Sequence, residues 1–237
     1  MIALAKRMIP EGIKTAIKSR IRNARLRLLF RELSTRRTHE GLTKSDLERF
    51  RVAHGNTGYS ADSEYLLEIA RQATKADGPI LECGSGVSTL VIGMIASRSG
   101  IRVISLEQDE RWGDAVTRDL QLLGISSVEV IRVPLVSYGS YDWYDIDAEQ
   151  LPHHFYRVFC DGPTSCKGWR FGVVPVLGQL GIGFDALVCD DADDPASAST
   201  LMRWESEFGL SVERRVGMQG ELAICRPATG TRCSIST

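Results

Sequence analysis

The residues of this chain best placed to do chemistry are acids and glycines at the ends of apolar runs. Ile80-Leu81-Glu82-Cys83-Gly84-Ser85-Gly86-Val87-Ser88-Thr89 reads as a buried strand, a glycine turn and the start of a helix. In sheets of parallel strands, ligands bind beyond the carboxyl ends. Gly84 and Gly86 allow a tight turn and a close approach of backbone to ligand. The third glycine of the dinucleotide fingerprint G-x-G-x-x-G falls at Thr89, so the pyrophosphate-binding form is incomplete. Glu82, two residues ahead of Gly84, repels a pyrophosphate and suits a cationic ligand. Glu107 closes the next apolar run, Ile104-Ser105-Leu106-Glu107, and an acid there can accept both hydroxyls of a ribose.

A ligand that is both cationic and ribose-bearing is S-adenosylmethionine, with its ammonium and sulfonium groups. Three further acids, Asp161, Asp190 and Asp191, each follow an apolar run, Phe159-Cys160 or Val188-Cys189. A parallel sheet gathers such residues at one edge, where they repel one another unless a cation or proton is present. Oxygen donors suit Mg²⁺ or another hard divalent cation. The competing arrangement sets Asp161 beside methyl donor or acceptor while Asp190 and Asp191 cap the next turn. Candidate bases are Asp161, Lys167, His153 and His154, but both histidines precede the fourth strand, at the end away from the crevice.

These residues need a scaffold, and the apolar pattern supplies one. Strands are expected at 79–83, 102–106, 128–133, 157–160, 185–189, 210–216 and 221–225. Helices are expected at about 62–76, 88–99, 110–123, 169–180 and 196–208, with a long aromatic loop at 134–152. Alternation of this kind predicts an α/β fold, a parallel sheet covered by helices on both faces. The last two strands, separated only by 217–220, must run antiparallel. The loop at 134–152 either walls an acceptor site with Tyr138, Tyr141, Trp143 and Tyr144 or covers the sheet edge. The six cysteines include no C-x-x-C pair, which points to reduced, buried thiols rather than a zinc site.

Taken together, Glu-Cys-Gly-Ser-Gly, Leu-Glu-Gln-Asp, Phe-Cys-Asp-Gly-Pro and Val-Cys-Asp-Asp-Ala resemble the successive strand-end motifs of class I methyltransferases. The resemblance is to a bacterial small-molecule branch related to the catechol-type O-methyltransferases, and it spans about residues 56–226. It implies a Rossmann-like, doubly wound, seven-stranded, mostly parallel sheet with the last strand antiparallel. It implies S-adenosylmethionine held by Tyr59, Glu82, Gly84, Ser85, Gly86, Ser88, Glu107, Gln108 and Asp161. Tyr59, with Ser60, precedes the first helix of the catalytic domain. In the catechol-type branch an acid and an Asp-Asn pair hold a divalent metal, which carries over to Asp161, Asp190 and Asp191. Here the pair is Asp-Asp. The branch's lysine base follows its acid more closely than Lys167 follows Asp161.

Outside the resemblance lies a basic arm. Residues 1–37 hold 11 Lys and Arg against Glu11 and Glu32, a balance of +9, while the remainder carries −10. Ile13, Ile17, Ile21, Ala24 and Leu28 recur at helical spacing among the basic residues. The division expected is an arm at 1–37, a polar linker with short helical pieces at 38–60 and a catalytic domain at 61–237. The arm fits packing on its own domain or in a homodimer, or contact with an anionic membrane surface, and fits nucleic acid or an organellar address less well. The expected protein methylates a hydroxyl of a small molecule or glycan, in the cytoplasm, against the inner face of a membrane. A nucleotide-cofactor oxidoreductase and a non-catalytic scaffold of the same fold are the alternatives. No run is long and apolar enough for a transmembrane helix, and no secretory signal is evident.

Overall fold

The computed structural model describes residues 10–36, 41–55, 61–164, 166–217 and 220–228. Three helices, α1 (Glu11–Ser34), α2 (Lys44–His54) and α3 (Ser63–Thr74), precede the sheet. Then come β1 (Ile80–Cys83), α4 (Val87–Ser99), β2 (Val103–Glu107), α5 (Glu110–Leu123) and β3 (Val128–Arg132). A hairpin, β4 (Leu135–Ser137) with β5 (Asp142–Tyr144), leads to β6 (His154–Phe155) and β7 (Arg157–Cys160). The chain closes with α6 (Val173–Gln179), β8 (Gly183–Phe184), β9 (Leu187–Cys189), α7 (Ser197–Phe208), β10 (Leu210–Val216) and β11 (Glu221–Pro227).

The main sheet has seven strands in the order β10-β11-β9-β7-β1-β2-β3. Only β11 runs against the others, pairing antiparallel with both β9 and β10. This is the doubly wound, Rossmann-like arrangement expected from the alternation of apolar runs. Strand alternation sorts the core into two faces. Ile80, Val103, Phe159 and Val188 pack under α1 to α5, while Leu81, Cys83, Leu106, Val158 and Leu187 pack against the β4–β5 hairpin, α6 and α7. Cys83, Cys160 and Cys189 lie side by side in register on the three central strands, buried and unoxidised.

Local chemistry sets the helix starts. Asp62 caps α3 by accepting from the Glu64 and Tyr65 amides, and Asp109 caps α5 through the Trp112 amide. Thr43 and Asp46 form a reciprocal capping box that begins α2 inside the stretch expected as a linker. The loop expected at 134–152 holds a hairpin, and the helix expected from Trp169 begins only at Val173.

Candidate active site

The turn after β1 is built by mutual constraint. Gly84 has φ +90°, and a Cβ there would lie 2.7 Å from the Gly162 amide nitrogen. A Cβ on Gly162 would lie 2.8 Å from Gly84 Cα and 2.8 Å from the Tyr144 hydroxyl. The chain crossings after β1 and β7 therefore touch backbone to backbone. Thr89, at the position of the missing third glycine, closes the turn. Its hydroxyl accepts the Gly86 N–H at 2.8 Å and donates to Glu82 Oε2 at 2.6 Å.

Beyond these strand ends opens a cavity of about 290 Å³, lined by Gly84, Ser85, Glu107, Gln108, Trp112, Tyr144, Asp161 and Gly162–Thr164 among others. Glu107 is buried at its floor. Its Oε2 accepts the Ser85 amide at 3.0 Å and the Ser85 hydroxyl at 2.6 Å, and its Oε1 accepts the Asp109 amide at 2.9 Å. A carboxylate has about four acceptor positions, so one remains unfilled. Trp112 is anchored by its indole N–H on the Ser85 carbonyl at 2.8 Å. Gln108 spans the rim to the Thr164 carbonyl at 3.2 Å, and its own Oε1 is buried without a partner.

Glu82 does not line this cavity. It faces α4, on the same side of the sheet as Ile80, beside its register partner Ser105, whose hydroxyl donates to it at 2.6 Å. Burial pushes its carboxyl up to about 7 against the opposing pull of the Ser105, Ser88 and Thr89 hydroxyls. Ser88 is likewise buried beneath the turn rather than in the cavity. Tyr59 and Ser60 lie outside the described residues.

Asp161 lines the cavity with about a quarter of its side chain exposed. Burial raises its carboxyl to about 6, with Arg170 pulling downward and Asp191 pushing upward. Lys167 is not brought to the cavity, because its ammonium donates to the Gly139 carbonyl in the β4–β5 hairpin. His154 pairs with Asp185 at 2.9 Å at the far end of β7. Tyr144 reaches the cavity, Trp143 is core, and Tyr138 stacks on Tyr141 outside it.

The three aspartates do gather, but around a side chain rather than a metal. Arg170, itself buried, donates to Asp161 Oδ1 at 3.1 Å, Asp191 Oδ2 at 2.6 Å and the main-chain carbonyls of Asp161 and Asp190. Burial and its two acidic neighbours push the Asp190 carboxyl well up. Among the described residues no group of three or more His, Cys, Asp or Glu is placed to hold a metal ion. The Arg170 guanidinium already bridges the Asp161 and Asp191 carboxylates, so this donor set is not arranged around a divalent cation. This arrangement lends no support to the metal expected at Asp161, Asp190 and Asp191. Arg170 carried no signal in the sequence, since an arginine inside an expected helix reads as solvated.

The cavity does fit a cationic nucleoside. It offers an acid at the second strand end, an unpartnered amide oxygen, an indole face and a second carboxylate, with backbone approach guaranteed by glycines.

No family model and no curated protein sequence matches the chain. Solved structures do match in fold. The O-methyltransferase from Bacillus cereus in complex with SAH is 15% identical over 78% of this chain and 90% of its own, with a TM-score of 0.53. The SAH-bound methyltransferase PaMTH1 of Podospora anserina is 13% identical over 93% and 98%, at 0.52. This chain has the Rossmann-like methyltransferase fold. The precorrin-6y C5,15-methyltransferase from Geobacter metallireducens matches over 71% and 89%, at 12% identity and 0.53. Similarity this remote fixes the arrangement of elements and leaves the acceptor open.

Proposed function

We propose that this chain is an S-adenosylmethionine-dependent methyltransferase that acts on a hydroxyl of a small molecule or glycan, without a divalent metal. The observation that carries the reading is Glu107, buried at the floor of the strand-end cavity with an acceptor position left open beside Ser85, Trp112 and Gln108. Glu107 would take a ribose hydroxyl on its remaining acceptor position, and Trp112 would flank the base. The Gly84–Gly86 turn admits the ligand's chain against backbone.

S-adenosylmethionine supplies, when bound, a methyl group already activated on a cationic sulfur. The protein's part is then placement and charge. Asp161 sits across the cavity from Glu107's strand, on the neighbouring side of β1, and at neutral pH is largely ionised. Its carboxylate favours a cation in the cavity and, with a pKa about 6, can accept the proton of an acceptor hydroxyl. Arg170 holds Asp161 in position from behind. The five free cysteines among the described residues suit a reducing cytoplasm.

The test is calorimetric titration of S-adenosylmethionine into wild type and Glu107→Ala. Charge-assisted hydrogen bonds of this kind contribute about 1.5–3 kcal/mol, so the variant should bind roughly 10- to 100-fold more weakly. Absence of binding to the wild type would overturn the proposal and leave a scaffold of the same fold as the better account.

A further inference from the structure

Helix α1 has two halves with different surroundings. From Arg22 onward it lies on the domain. Leu26 and Leu33 are fully buried, Arg22 forks onto Asp119 with both contacts at 2.5 Å, and Arg98 donates to the Leu33 and Ser34 carbonyls. From Glu11 to Ile21 every residue is exposed except the half-buried Lys14. That is roughly 16 Å of mostly exposed helix at 1.5 Å per residue. Its isoleucines are not turned inward: Ile13 is 52% exposed, Ile17 46% and Ile21 49%.

At about 100° per residue, Ile13, Ile17, Ile21, Ala24 and Leu28 fall within an arc of about 80°, opposite the buried Leu26–Leu33 seam. Arg20 and Arg27 flank this stripe on one side, with Arg31 in line with its edge at Ile13, and Lys14, Lys18 and Arg25 flank it on the other. Among the described residues Lys18, Arg20, Arg25 and Arg31 form no ion pair, whereas Glu11 and Glu32 are taken by Lys14 and Arg49. The stripe continues at Leu28 into a shallow apolar groove shared with Val52 of α2.

We infer that the outward face of α1 docks this protein on an anionic lipid bilayer. An apolar stripe enters the acyl boundary while the basic rows on both sides meet phosphate headgroups. Charge complementarity selects this occupant. A second copy presenting the same face would set basic rows against basic rows, and nucleic acid would leave the isoleucines in water. The placement also has a direction. Ser19 and Arg22 border a groove that includes Trp112, which lines the active-site cavity as well. Leu33 and Ser34 sit instead at the carboxyl end of α4. The projecting half of α1 therefore lies toward the edge of the sheet where the cavity opens.

The test is co-flotation of the full chain with vesicles of equimolar phosphatidylcholine and phosphatidylglycerol, and with phosphatidylcholine alone. Two variants accompany it, Ile17→Asp with Ile21→Asp, and Lys18→Glu with Arg20→Glu and Arg25→Glu. All five positions are exposed or ion-pair-free, and unchanged melting would show the fold intact. Binding to the anionic vesicles only, lost about tenfold or more in each variant, is expected. No wild-type binding to anionic vesicles, or binding that ignores the isoleucine changes, overturns the inference. So does a lipid-free dimer that the isoleucine changes dissociate, which would assign the face to a second copy. Duplex binding that responds to charge reversal alone, without vesicle binding, would assign it to nucleic acid. None of these outcomes depends on methyl transfer.

Discussion

Glu82 shows how one carboxylate can serve a site without entering it. It is an acid buried to 1% exposure that keeps Thr89 in place, and through Thr89 the Gly86 amide. Its carboxyl, raised to about 7, is protonated in the folded chain at pH values where the unfolded chain is ionised. The folded state then holds more protons between about pH 4.5 and 7, so this group's contribution to stability is greatest below that window and is lost as pH rises through it. The loss amounts to about 3 kcal/mol at most. Glu82→Gln should remove that slope. Comparing urea unfolding of wild type and variant at pH 5 and pH 7.5, the difference between them should change by a few kcal/mol in the variant's favour at the higher pH. A difference independent of pH would show that Glu82 stays ionised throughout. Sequence reading found this acid and assigned it to the ligand. In the fold its side chain lies among the Ser105, Ser88 and Thr89 hydroxyls, outside the lining of the cavity.

At the scale of elements, what could be read from sequence was what periodicity encodes. The central strands of the main sheet are continuous apolar runs, its edge strands β3 and β10 alternate, and the bounds of the seven strands and of the helices between them fall within a few residues of expectation. Pairs such as β4–β5 and β6–β8 span two or three residues and depend on a partner rather than on a pattern. Ser85, Glu107, Gln108 and Asp161 were legible because they sit at strand ends. Trp112 and Thr164 reach the cavity from a helix's first turn and a loop, so spacing could not mark them. The start of α6 is the clearest case of tertiary contact overriding local preference. Gly168 (φ +78°) and Trp169 (φ +48°) break the helix so that Arg170 can turn inward to the aspartates. Arg170→Met should cost about 3–5 kcal/mol, because it leaves carboxylates facing one another without their cation. It should also open the cluster to hard cations, so that Mg²⁺ or Mn²⁺ raises the melting temperature of the variant and leaves that of the wild type unchanged. A wild type stabilised by either ion would restore a metal to this site.

For the molecule as a whole, the question is whether the basic helix is an appendage or part of the body. Its charge, +9 against −10 for the rest, marks residues 1–37 as a separate segment in sequence. The packing divides the segment in two. Leu26 and Leu33 belong to the same core cluster as Phe50, Leu66 and Leu90, and the Arg22–Asp119 pair, with His54 3.3 Å from Asp119, ties α1 to α2 and α5. Losing one buried leucine costs about 2–5 kcal/mol, while a whole domain is stable by only about 5–15 kcal/mol. Removing residues 1–36 strips away two such leucines and the pair's cation, which is enough to exhaust that margin. Among the described residues, removing 1–21 strips away only exposed helix and the half-buried Lys14. The shorter truncation should therefore melt within a few degrees of the full chain, bind S-adenosylmethionine as well, and lose its hold on anionic vesicles. The longer one should unfold or melt far lower. Equal melting of all three chains would make α1 a detachable module along its whole length, and its buried leucines would then need another explanation.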